Sequence, residues 1–360
     1  MMKLSRRLPR PTSLLLLALL VAGLVVLAGR RSPLHADGPI PSATEFRLKP
    51  GDHISLIGNT LADRMQHDGW LETYLQSRFP KYHLAFRDLG YSGDELTLRL
   101  RSAGFGSPDE WLTREKTDVV FAFFGYNEAY AGAAGLDKFR KDLAEFIRHT
   151  RGHKYNGKEA PRLVLFSPIA HEDLHNRNLP DGRENNKALE QYTTAMAEVA
   201  AANHVPFVDL FYPTLQEYTR AAHPLTINGV HLNERGNHFV AQVIDEVLFQ
   251  SLPVVQRDAK LLEKLRQAIV DKDFYFFNRY RTVDGFNVYG GRSYERYLGQ
   301  TNREVLQREM QVLDVMAANR DKRVWAVAQG KDLQVDDSDT PPFIPVKSNI
   351  RGPGPNGEFT

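Results

Sequence analysis

The feature of the sequence that most constrains the fold is an alternation, from residue 50 onward, of short apolar runs with longer amphipathic stretches. The amphipathic stretches place apolar residues at helical spacing, and each apolar run has the length of a buried strand. This pattern predicts repeated βα units around a parallel five-stranded sheet. The predicted strands are 53–57, 84–88, 118–124, 162–167 and 206–209, and the predicted helices between them are 62–78, 136–149, 184–203 and 236–252, with a loop at 177–182.

The alternation stops at Pro253, and a different kind of sequence follows. Two further helices are predicted at 257–271 and 302–319, separated by an aromatic-rich segment at 274–297. Its rings are predicted to pack against the sheet domain; a carbohydrate-stacking surface is the alternative, and it requires exposed rings. The last stretch is rich in Asp, Pro and Gly, which predicts a flexible tail. The sequence therefore divides into a sheet domain at 45–252, a helical, aromatic-rich extension at 253–334 and a Pro/Gly-rich tail at 335–360.

Residues 1–36 form a leader that differs from the rest of the chain. They carry six basic residues and no acidic residue. Four of the basic residues precede Leu14–Ala28, a run of 15 residues with only apolar side chains and one glycine. This pattern predicts an export signal, cleaved after Ala28 or Ala36, and hence a periplasmic or extracellular protein. An uncleaved N-terminal anchor is the alternative, because the run is at the short end of what spans a bilayer.

The charge and composition of the chain exclude several classes of function. The formal net charge is +2, but without the leader 40 basic residues face 44 acidic ones, a net charge of −4. A nucleic-acid-binding domain has clustered Lys and Arg, so this class is excluded. The absence of cysteine excludes disulfides, thiolate metal sites and a cysteine nucleophile. No glycine-rich phosphate-binding motif follows the first strand, so nucleotide chemistry is not predicted.

Four short segments with chemically useful groups follow the predicted strands or precede the last helix of the sheet domain. In an open parallel sheet, ligands bind beyond the carboxyl ends of the strands, so these segments are expected at one edge of the sheet. They supply a hydroxyl, a backbone N–H, an amide donor and an imidazole, which are the parts of a hydrolytic acyl-transfer site. The segments are 58–61 (Gly-Asn-Thr-Leu), 90–94 (Gly-Tyr-Ser-Gly-Asp), 125–128 (Gly-Tyr-Asn-Glu) and 228–232 (Asn-Gly-Val-His-Leu).

These segments, in this order, resemble the sequence blocks of the SGNH hydrolases, also called GDSL esterases and lipases. The resemblance covers about residues 50–250. It implies a three-layer α/β/α sandwich of flavodoxin type and a hydrolase of O-acyl esters of sugars or small lipids. No metal or organic cofactor is implied, and the implied partner is a small-molecule or glycan ester. The implied site residues are Thr60 as nucleophile, His231 as base, Asn228 at the acidic triad position, and Gly93 and Asn127 as oxyanion donors.

Three positions depart from the family's pattern. The family has Gly-Asp-Ser-Leu and Asp-x-x-His, whereas this chain has Asn59, Thr60 and Asn228. The extra methyl of threonine restricts its side-chain torsion and crowds the attack. Asparagine cannot stabilise the imidazolium that forms during reaction, and this change lowers kcat by about 10⁴-fold in a serine protease. Three hypotheses stay open: an esterase that uses Thr60 and His231, a weakened domain that binds acylated glycans without turnover, and another chemistry in the same cleft.

Two other motifs offer alternative sites. Ser92, beside Gly93, is a rival nucleophile, although its place in the loop favours a turn serine. Residues 171–175 (His-Glu-Asp-Leu-His) match the zinc motif His-Glu-x-x-His. That motif requires a helix packed on a core, whereas this one follows Pro168 and leads into polar turn residues. The sequence therefore predicts a polar loop over the cleft in preference to a metalloprotease site.

Overall fold

A parallel sheet of five strands lies at the centre of the fold, as the alternation in the sequence predicts. The computed structural model describes residues 46–346. The predicted leader at 1–36, and the part of the predicted tail beyond residue 346, lie outside the described residues. The strands are β1 (His53–Gly58), β2 (Ala85–Asp88), β3 (Val119–Phe123), β4 (Arg162–Phe166) and β5 (Phe207–Val208).

The order of the strands sets the place of the site. It is β2-β1-β3-β4-β5, and every neighbouring pair is parallel. This is the order of flavodoxin-type doubly wound sheets, in which the connections reverse direction between β1 and β3. Ligands in such sheets bind in the crevice beyond the carboxyl ends of the strands at this reversal. The predicted fold class is therefore confirmed, and the crevice lies where the predicted segments follow β1 and β3.

The central strand β3 separates two hydrophobic cores. Successive side chains of a strand point to opposite faces, so an uninterrupted apolar run feeds both. Val120 and Ala122 belong to one core, whereas Val119, Phe121 and Phe123 belong to the other. All five residues are buried. Helices cover both faces, which gives three layers.

Seven helices of the described chain belong to the sheet domain. The fourth and fifth pack on one face, and the first, second and seventh pack on the other. Each contributes an apolar stripe of the kind that the sequence predicts. They are α1 (Thr60–Asp68), α2 (Trp70–Arg78), α3 (Pro108–Arg114), α4 (Gly132–Gly152), α5 (Arg183–Ala202), α6 (Phe211–Arg220) and α7 (Glu234–Leu248).

Three details of the predicted helices are wrong, one of them being that α6 was not predicted at all. The single helix expected at 62–78 is two helices, because Gly69 takes a left-handed conformation with φ of 67° between them. Helix α3 was not predicted, although Ser107 and Glu110 form a capping box at its start with Pro108 at the first helical position. The capping box is a local sequence signal from which this helix is predictable. The loop predicted at 177–182 has no helix or strand, as expected.

The helical extension covers the open edge of the sheet. Strand β2 lies at that edge, where unpaired carbonyl groups would otherwise face solvent. Side chains of the extension bond to these carbonyls: Trp325 to Leu84 at 2.8 Å, Lys272 to Phe86 at 3.3 Å and Tyr280 to Leu89 at 3.0 Å. The extension comprises α8 (Ala259–Tyr280), the short α9 (Gly285–Val288), a ladder of β6 (Arg296–Tyr297) and β7 (Gln300–Thr301), and α10 (Asn302–Ala328).

The aromatic segment of the extension divides between packing and exposure. Phe276, Tyr280 and Tyr289 are buried, in agreement with the predicted packing role. The first part of the segment is the last two turns of α8, which is longer than the predicted 257–271 helix. Four rings of the segment are exposed: Phe274, Phe286, Tyr294 and Tyr297.

None of the helices between residues 46 and 346 is long and apolar enough to cross a bilayer.

Candidate active site

A cavity of about 210 Å³ opens beyond the carboxyl ends of β1, β3 and β4. Thr60 follows β1, Asn127 follows β3, and His231 lies in the loop before α7; all three line this cavity. Residues 67 to 171 positions apart in sequence are thus brought together by the strand order, as the sequence predicts. The cavity is the candidate active site.

Thr60 is held by the tight turn that leaves β1. Gly58 has a φ of 135°, and a Cβ atom there would lie 2.0 Å from the carbonyl oxygen of Phe123, so only glycine fits. Asn59 caps α1 by accepting the N–H of Leu61 at 3.1 Å. Thr60 is therefore the first residue of α1, where its N–H has no partner within the helix. Its hydroxyl has no hydrogen-bond partner among the described residues.

The loop before α7 holds His231 in a tight hairpin. Thr226 and Leu232 form a short antiparallel bridge, and the N–H of Ile227 donates to the carbonyl of His231 at 2.8 Å. The Asn228 side-chain oxygen accepts the N–H groups of Val230 at 3.2 Å and His231 at 2.9 Å. The position of the missing triad acid is thus occupied by a residue that shapes its own loop.

The same asparagine contacts the imidazole of His231. Its Nδ2 lies 2.9 Å from His231 Nδ1, and its Oδ1 lies 3.1 Å from the same nitrogen. Donation from Nδ2 would place the ring proton on Nε2, which removes the lone pair that a general base needs. Donation from Nδ1 to Oδ1 leaves Nε2 free to accept a proton. The choice between these two tautomers therefore decides whether His231 acts as a base.

The charge state of His231 favours the neutral ring. Burial lowers its pKa from the ordinary value, and the positive charge of Arg64 lowers it further. The ring is thus unprotonated at neutral pH, which is the state a general base requires.

The two predicted oxyanion donors lie on neighbouring loops. Asn127 lines the cavity, and its amide donates one hydrogen to the carbonyl of Asp94 at 3.3 Å. Glu128 ties the same loop down, because its carboxylate accepts the N–H of Leu96 at 2.9 Å. Gly93, with a φ of 88°, is exposed beside this contact and is not among the residues that line the cavity. The structure therefore brings Asn127 to the cavity and leaves Gly93 at its outside.

The His-Glu-x-x-His segment has a different role from the metal site that the motif suggests. It is not helical, His171 is buried, and His175 is exposed. The buried carboxylate of Glu172 accepts the N–H groups of Leu225 and Thr226 and the hydroxyl of Thr226. Glu172 thus holds the base of the loop that carries His231. The expectation that this segment forms a polar loop over the cleft is wrong for Glu172, because this residue is only 5% exposed.

Gly229 shows how closely this support fits. A Cβ atom on Gly229 would lie 2.6 Å from His171 Nε2 and 2.8 Å from the carbonyl of Glu172. Its φ of 88° also disfavours any other residue. Gly229, two residues before His231, is therefore needed for the contact between its loop and the loop of His171 and Glu172.

The other hydroxyl groups near the site are engaged or unsuited to attack. The Ser167 hydroxyl donates to Pro168 and accepts the N–H groups of Leu210 and Phe211. Burial raises the pKa of Tyr126, so its hydroxyl keeps its proton. Ser92 is exposed and donates to the carboxylate of Asp63, which agrees with its interpretation as a turn serine. Of the two aliphatic hydroxyls that line the cavity, Thr60 and Ser167, that of Thr60 is the one left free to meet a substrate.

One group of side chains among residues 46–346 has the spacing of metal ligands. It consists of Asp109, His149 and His153, and none of the three lines the cavity. Asp109 is already bonded to His149 Nε2 at 2.9 Å and to the Tyr155 hydroxyl at 2.7 Å. The group is accounted for as a surface hydrogen-bond cluster.

Two residues of the site were missed by the sequence analysis. In the sequence, Glu172 stands out only as part of a zinc motif, and nothing local indicates that it binds a loop more than 50 residues away. Arg64 lines the cavity one helical turn after Thr60. Its spacing of four from the predicted nucleophile is a signal that places it on the same helix face.

The comparisons with known proteins agree with this description. The GDSL-like lipase/acylhydrolase family matches residues 56–239, just over half of the chain. No curated protein matches the chain.

Three solved structures are similar to this chain. An acetylxylan esterase from Geobacillus stearothermophilus, solved as a catalytic mutant of Axe2, is 16% identical over 59% of this chain and 100% of its own, with a TM-score of 0.46. The acetyl xylan esterase AlAXEase is 18% identical over 56% of this chain and 100% of its own, with a TM-score of 0.42. BT4096, a gut microbial diltiazem-metabolizing enzyme, is 19% identical over 57% of this chain, with a TM-score of 0.43. This chain spans 49% of the length of that protein.

Proposed function

The chain belongs to the GDSL-like lipase/acylhydrolase family of carboxylic ester hydrolases, and we propose that it is an exported esterase that cleaves O-acyl esters of sugars or small lipids. The observation that carries the proposal is the single cavity lined by Thr60, His231 and Asn127. A hydroxyl, an imidazole and an amide donor at one cavity are the minimum set for acyl transfer.

The proposed mechanism has two half-reactions. His231 Nε2 takes the proton of the Thr60 hydroxyl as Thr60 Oγ1 attacks the ester carbonyl. The N–H of Thr60 and the amide of Asn127 stabilise the oxyanion. The alcohol leaves with the proton from His231, and water then releases the acid from Thr60 by the reverse sequence.

Loss of the triad acid is the reason to expect slow turnover. Asn228 Oδ1 orients the ring in the productive tautomer, but it does not neutralise the imidazolium. The competing contact from Asn228 Nδ2 stabilises the unproductive tautomer. We therefore expect activity well below that of a relative with Asp at this position.

The experiment is hydrolysis of 4-nitrophenyl acetate by the purified protein and four single variants. We expect His231→Ala and Thr60→Ala to abolish the enzyme-catalysed rate, and Thr60→Ser to raise it because serine lacks the crowding methyl. Ser92→Ala is the matched control and keeps the wild-type rate. A His231→Ala variant as active as the wild type would rule out this mechanism.

The second candidate function is binding without turnover, which the contact between Asn228 Nδ2 and His231 Nδ1 favours. On this hypothesis the protein retains an acetylated oligosaccharide, and it hydrolyses neither this ligand nor 4-nitrophenyl acetate. Retention that is lost on Asn127→Ala, with no product released, supports this candidate over the esterase. Product release by the wild type rejects it.

A further inference from the structure

The cavity that contains Thr60 and His231 carries an unbalanced positive charge. Arg64 is among the residues that line it, and no Asp or Glu residue lines it in the described part of the chain. At the position where the family has an acid, this chain has Asn228, so the imidazole has no carboxylate beside it. The remaining wall is aromatic, aliphatic or uncharged and polar. Such a cavity favours a negatively charged ligand.

Arg64 lies close to the position of attack. It is four residues after Thr60 on α1, so the two side chains share one face of the helix. Their Cα atoms are separated by about 6 Å along the helix axis. A group bound by Arg64 is therefore within a few bonds of a carbonyl that is in contact with Thr60.

The guanidinium of Arg64 has no partner in the described chain. Its Nε is buried and makes no hydrogen bond, and no carboxylate of the described residues forms an ion pair with it. Arg64 as a whole is half-buried, so the rest of its guanidinium can reach a ligand in the cavity, while a buried N–H such as its Nε is unfavourable without an acceptor.

The neighbouring charges show that this lack of a partner is specific to Arg64. Asp63, the adjacent residue, accepts hydrogen bonds from Arg281 and Ser92 instead. The loop around Gly93 has its own pair, in which Arg101 binds Asp94 through two bonds of 2.9 and 2.8 Å. Asp63 and Asp94 are thus paired with other arginines, and the guanidinium of Arg64 remains available for a ligand.

We propose that Arg64 determines substrate specificity by binding an oxyanion group, a carboxylate or a sulfate, that the ester carries within a few bonds of the scissile carbonyl. The planar guanidinium matches two oxygens of such a group. The ester part of this inference rests on the proposed function, whereas binding of the anion does not depend on turnover.

A binding experiment tests the anion site alone. Sodium succinate and sodium sulfate are titrated separately into the wild-type protein in an isothermal calorimeter, and the tighter of the two identifies the preferred group. We expect Arg64→Gln to weaken binding about tenfold or more, because bonds to charged groups are the strong ones. Arg148→Gln, which removes an exposed guanidinium from α4, is the matched control and leaves binding unchanged. Equal binding by Arg64→Gln and the wild type overturns the proposal.

A kinetic experiment tests specificity. The ratio of kcat/KM for 4-nitrophenyl hemisuccinate to that for the neutral 4-nitrophenyl pentanoate is compared between variants. We expect a ratio above one in the wild type that falls about tenfold in Arg64→Gln, mainly through KM. Arg64→Lys keeps the positive charge but not the planar guanidinium, and its ratio is expected to lie between those of the wild type and Arg64→Gln. Equal losses of kcat on both esters overturn the specificity role, because they indicate that Arg64 acts on the transition state of every substrate.

The two proposals fail in distinguishable ways. Succinate binding that depends on Arg64, with no hydrolysis of either ester, rejects the esterase and supports the anion site. Hydrolysis of both esters with a ratio that Arg64→Gln does not change supports the esterase and rejects the anion site. Thermal unfolding checks each variant: Arg64 has no partner to lose, so its replacement is expected to leave the midpoint unchanged or raise it.

Discussion

At the scale of single residues, the exchange of an acid for Asn228 is the change with the largest chemical consequence. The amide still caps its loop, because Oδ1 accepts two backbone N–H groups as a carboxylate oxygen would. What it lacks is the negative charge that raises the pKa of His231 and stabilises the imidazolium. The residue therefore preserves the geometry of the site while it removes part of the electrostatics.

Asn228→Asp is predicted to increase esterase activity and to shift its pH dependence. A carboxylate fits the same loop contacts, so we expect kcat on 4-nitrophenyl acetate to rise by between about 10- and 10⁴-fold, the upper figure being the loss seen for the reverse change in a serine protease. The pKa of His231 is lowered in the wild type by burial and by Arg64, so the acidic limb of its kcat/KM profile lies below the ordinary histidine range. The added carboxylate favours the protonated ring, which raises this pKa and moves the limb to higher pH.

Profiles of kcat/KM between pH 4 and 9 check both parts of this prediction. Asn228→Ala is the control, because it removes the loop cap without adding a charge, and we expect it to be less active than the wild type. A limb at the same pH in Asn228→Asp and the wild type would show that His231 is not the titrating base.

We expect Glu172 to position the loop that carries His231, because its carboxylate bonds the base of that loop. Replacement by alanine leaves the N–H groups of Leu225 and Thr226 buried without an acceptor, which costs about 1–3 kcal/mol of unfolding free energy. We expect Glu172→Ala to lower kcat more than it raises KM, since the loop with His231 loses its support. Kinetics on 4-nitrophenyl acetate and urea unfolding measure the two effects.

The conservative variant separates support of the loop from general damage. Glu172→Gln keeps one acceptor oxygen and is expected to recover part of the lost kcat. Glu184→Gln, an exposed change on α5, is the matched control. Full activity of Glu172→Ala would contradict the positioning role.

At the scale of secondary-structure elements, the extension completes the sheet domain by covering edge strand β2. A bare edge strand invites pairing with other chains, and this one is instead bonded by side chains of α8 and α10. At the centre of the contact, Lys272 is fully buried and pairs with Glu72 at 2.6 Å and Asp273 at 2.8 Å. The buried charges specify how α8 docks.

Lys272→Met is predicted to destabilise the protein strongly. Breaking a buried pair from one side leaves uncompensated charge, which lowers the free energy of unfolding by about 3–5 kcal/mol. Burial already raises the pKa of Glu72 despite Lys272, and loss of the ammonium raises it further. A carboxyl whose folded-state pKa is raised stabilises less as pH increases. The pKa of Glu72 is already about 7 with Lys272 present, so we expect the deficit of this variant to grow as the pH rises above about 7.

Urea unfolding at several pH values measures this deficit. The double variant Lys272→Met/Glu72→Gln removes one of the stranded charges and is expected to recover part of the stability. A single variant within about 0.5 kcal/mol of the wild type, the range of ordinary surface changes, would contradict the docking role.

At the scale of the whole molecule, the sheet domain and the extension contribute to the same hydrophobic core. Phe276 and Tyr280 of α8 lie in the core that also contains Trp111 and Val120 of the sheet domain. The extension also reaches the site, because Arg281 at the end of α8 binds Asp63 next to Arg64. The charge pattern of the cavity therefore depends on packing between the two parts.

Export of the chain is predicted from the leader at 1–36. In a Gram-negative host we expect the protein in the periplasm, with a mature N terminus at residue 29 or 37 as measured by mass spectrometry of the purified chain. Full-length chain in the membrane fraction would instead identify the leader as an anchor. Full-length chain in the cytoplasm would contradict export.

Much of the fold and part of the site followed from local patterns. The period of apolar residues identifies strands and helices, because each element must bury its own face. The order of the four segments placed Thr60, Asn127 and His231 at one edge, since parallel strands end on the same side. Helix α3 and the break at Gly69 also had local signals, a capping box and a glycine, that are weaker than periodicity.

The amino-acid sequence by itself thus determined the sheet, its layers and the candidate groups of the site. Only the tertiary structure decided which charges are paired. Asp63 and Arg64 are neighbours in sequence, yet Asp63 binds Arg281, more than 200 residues away, and Arg64 binds no described residue. Periodicity is a property of short segments, whereas the partner of a charge depends on which distant segments pack beside it. Electrostatic interactions in a buried site are therefore settled by packing.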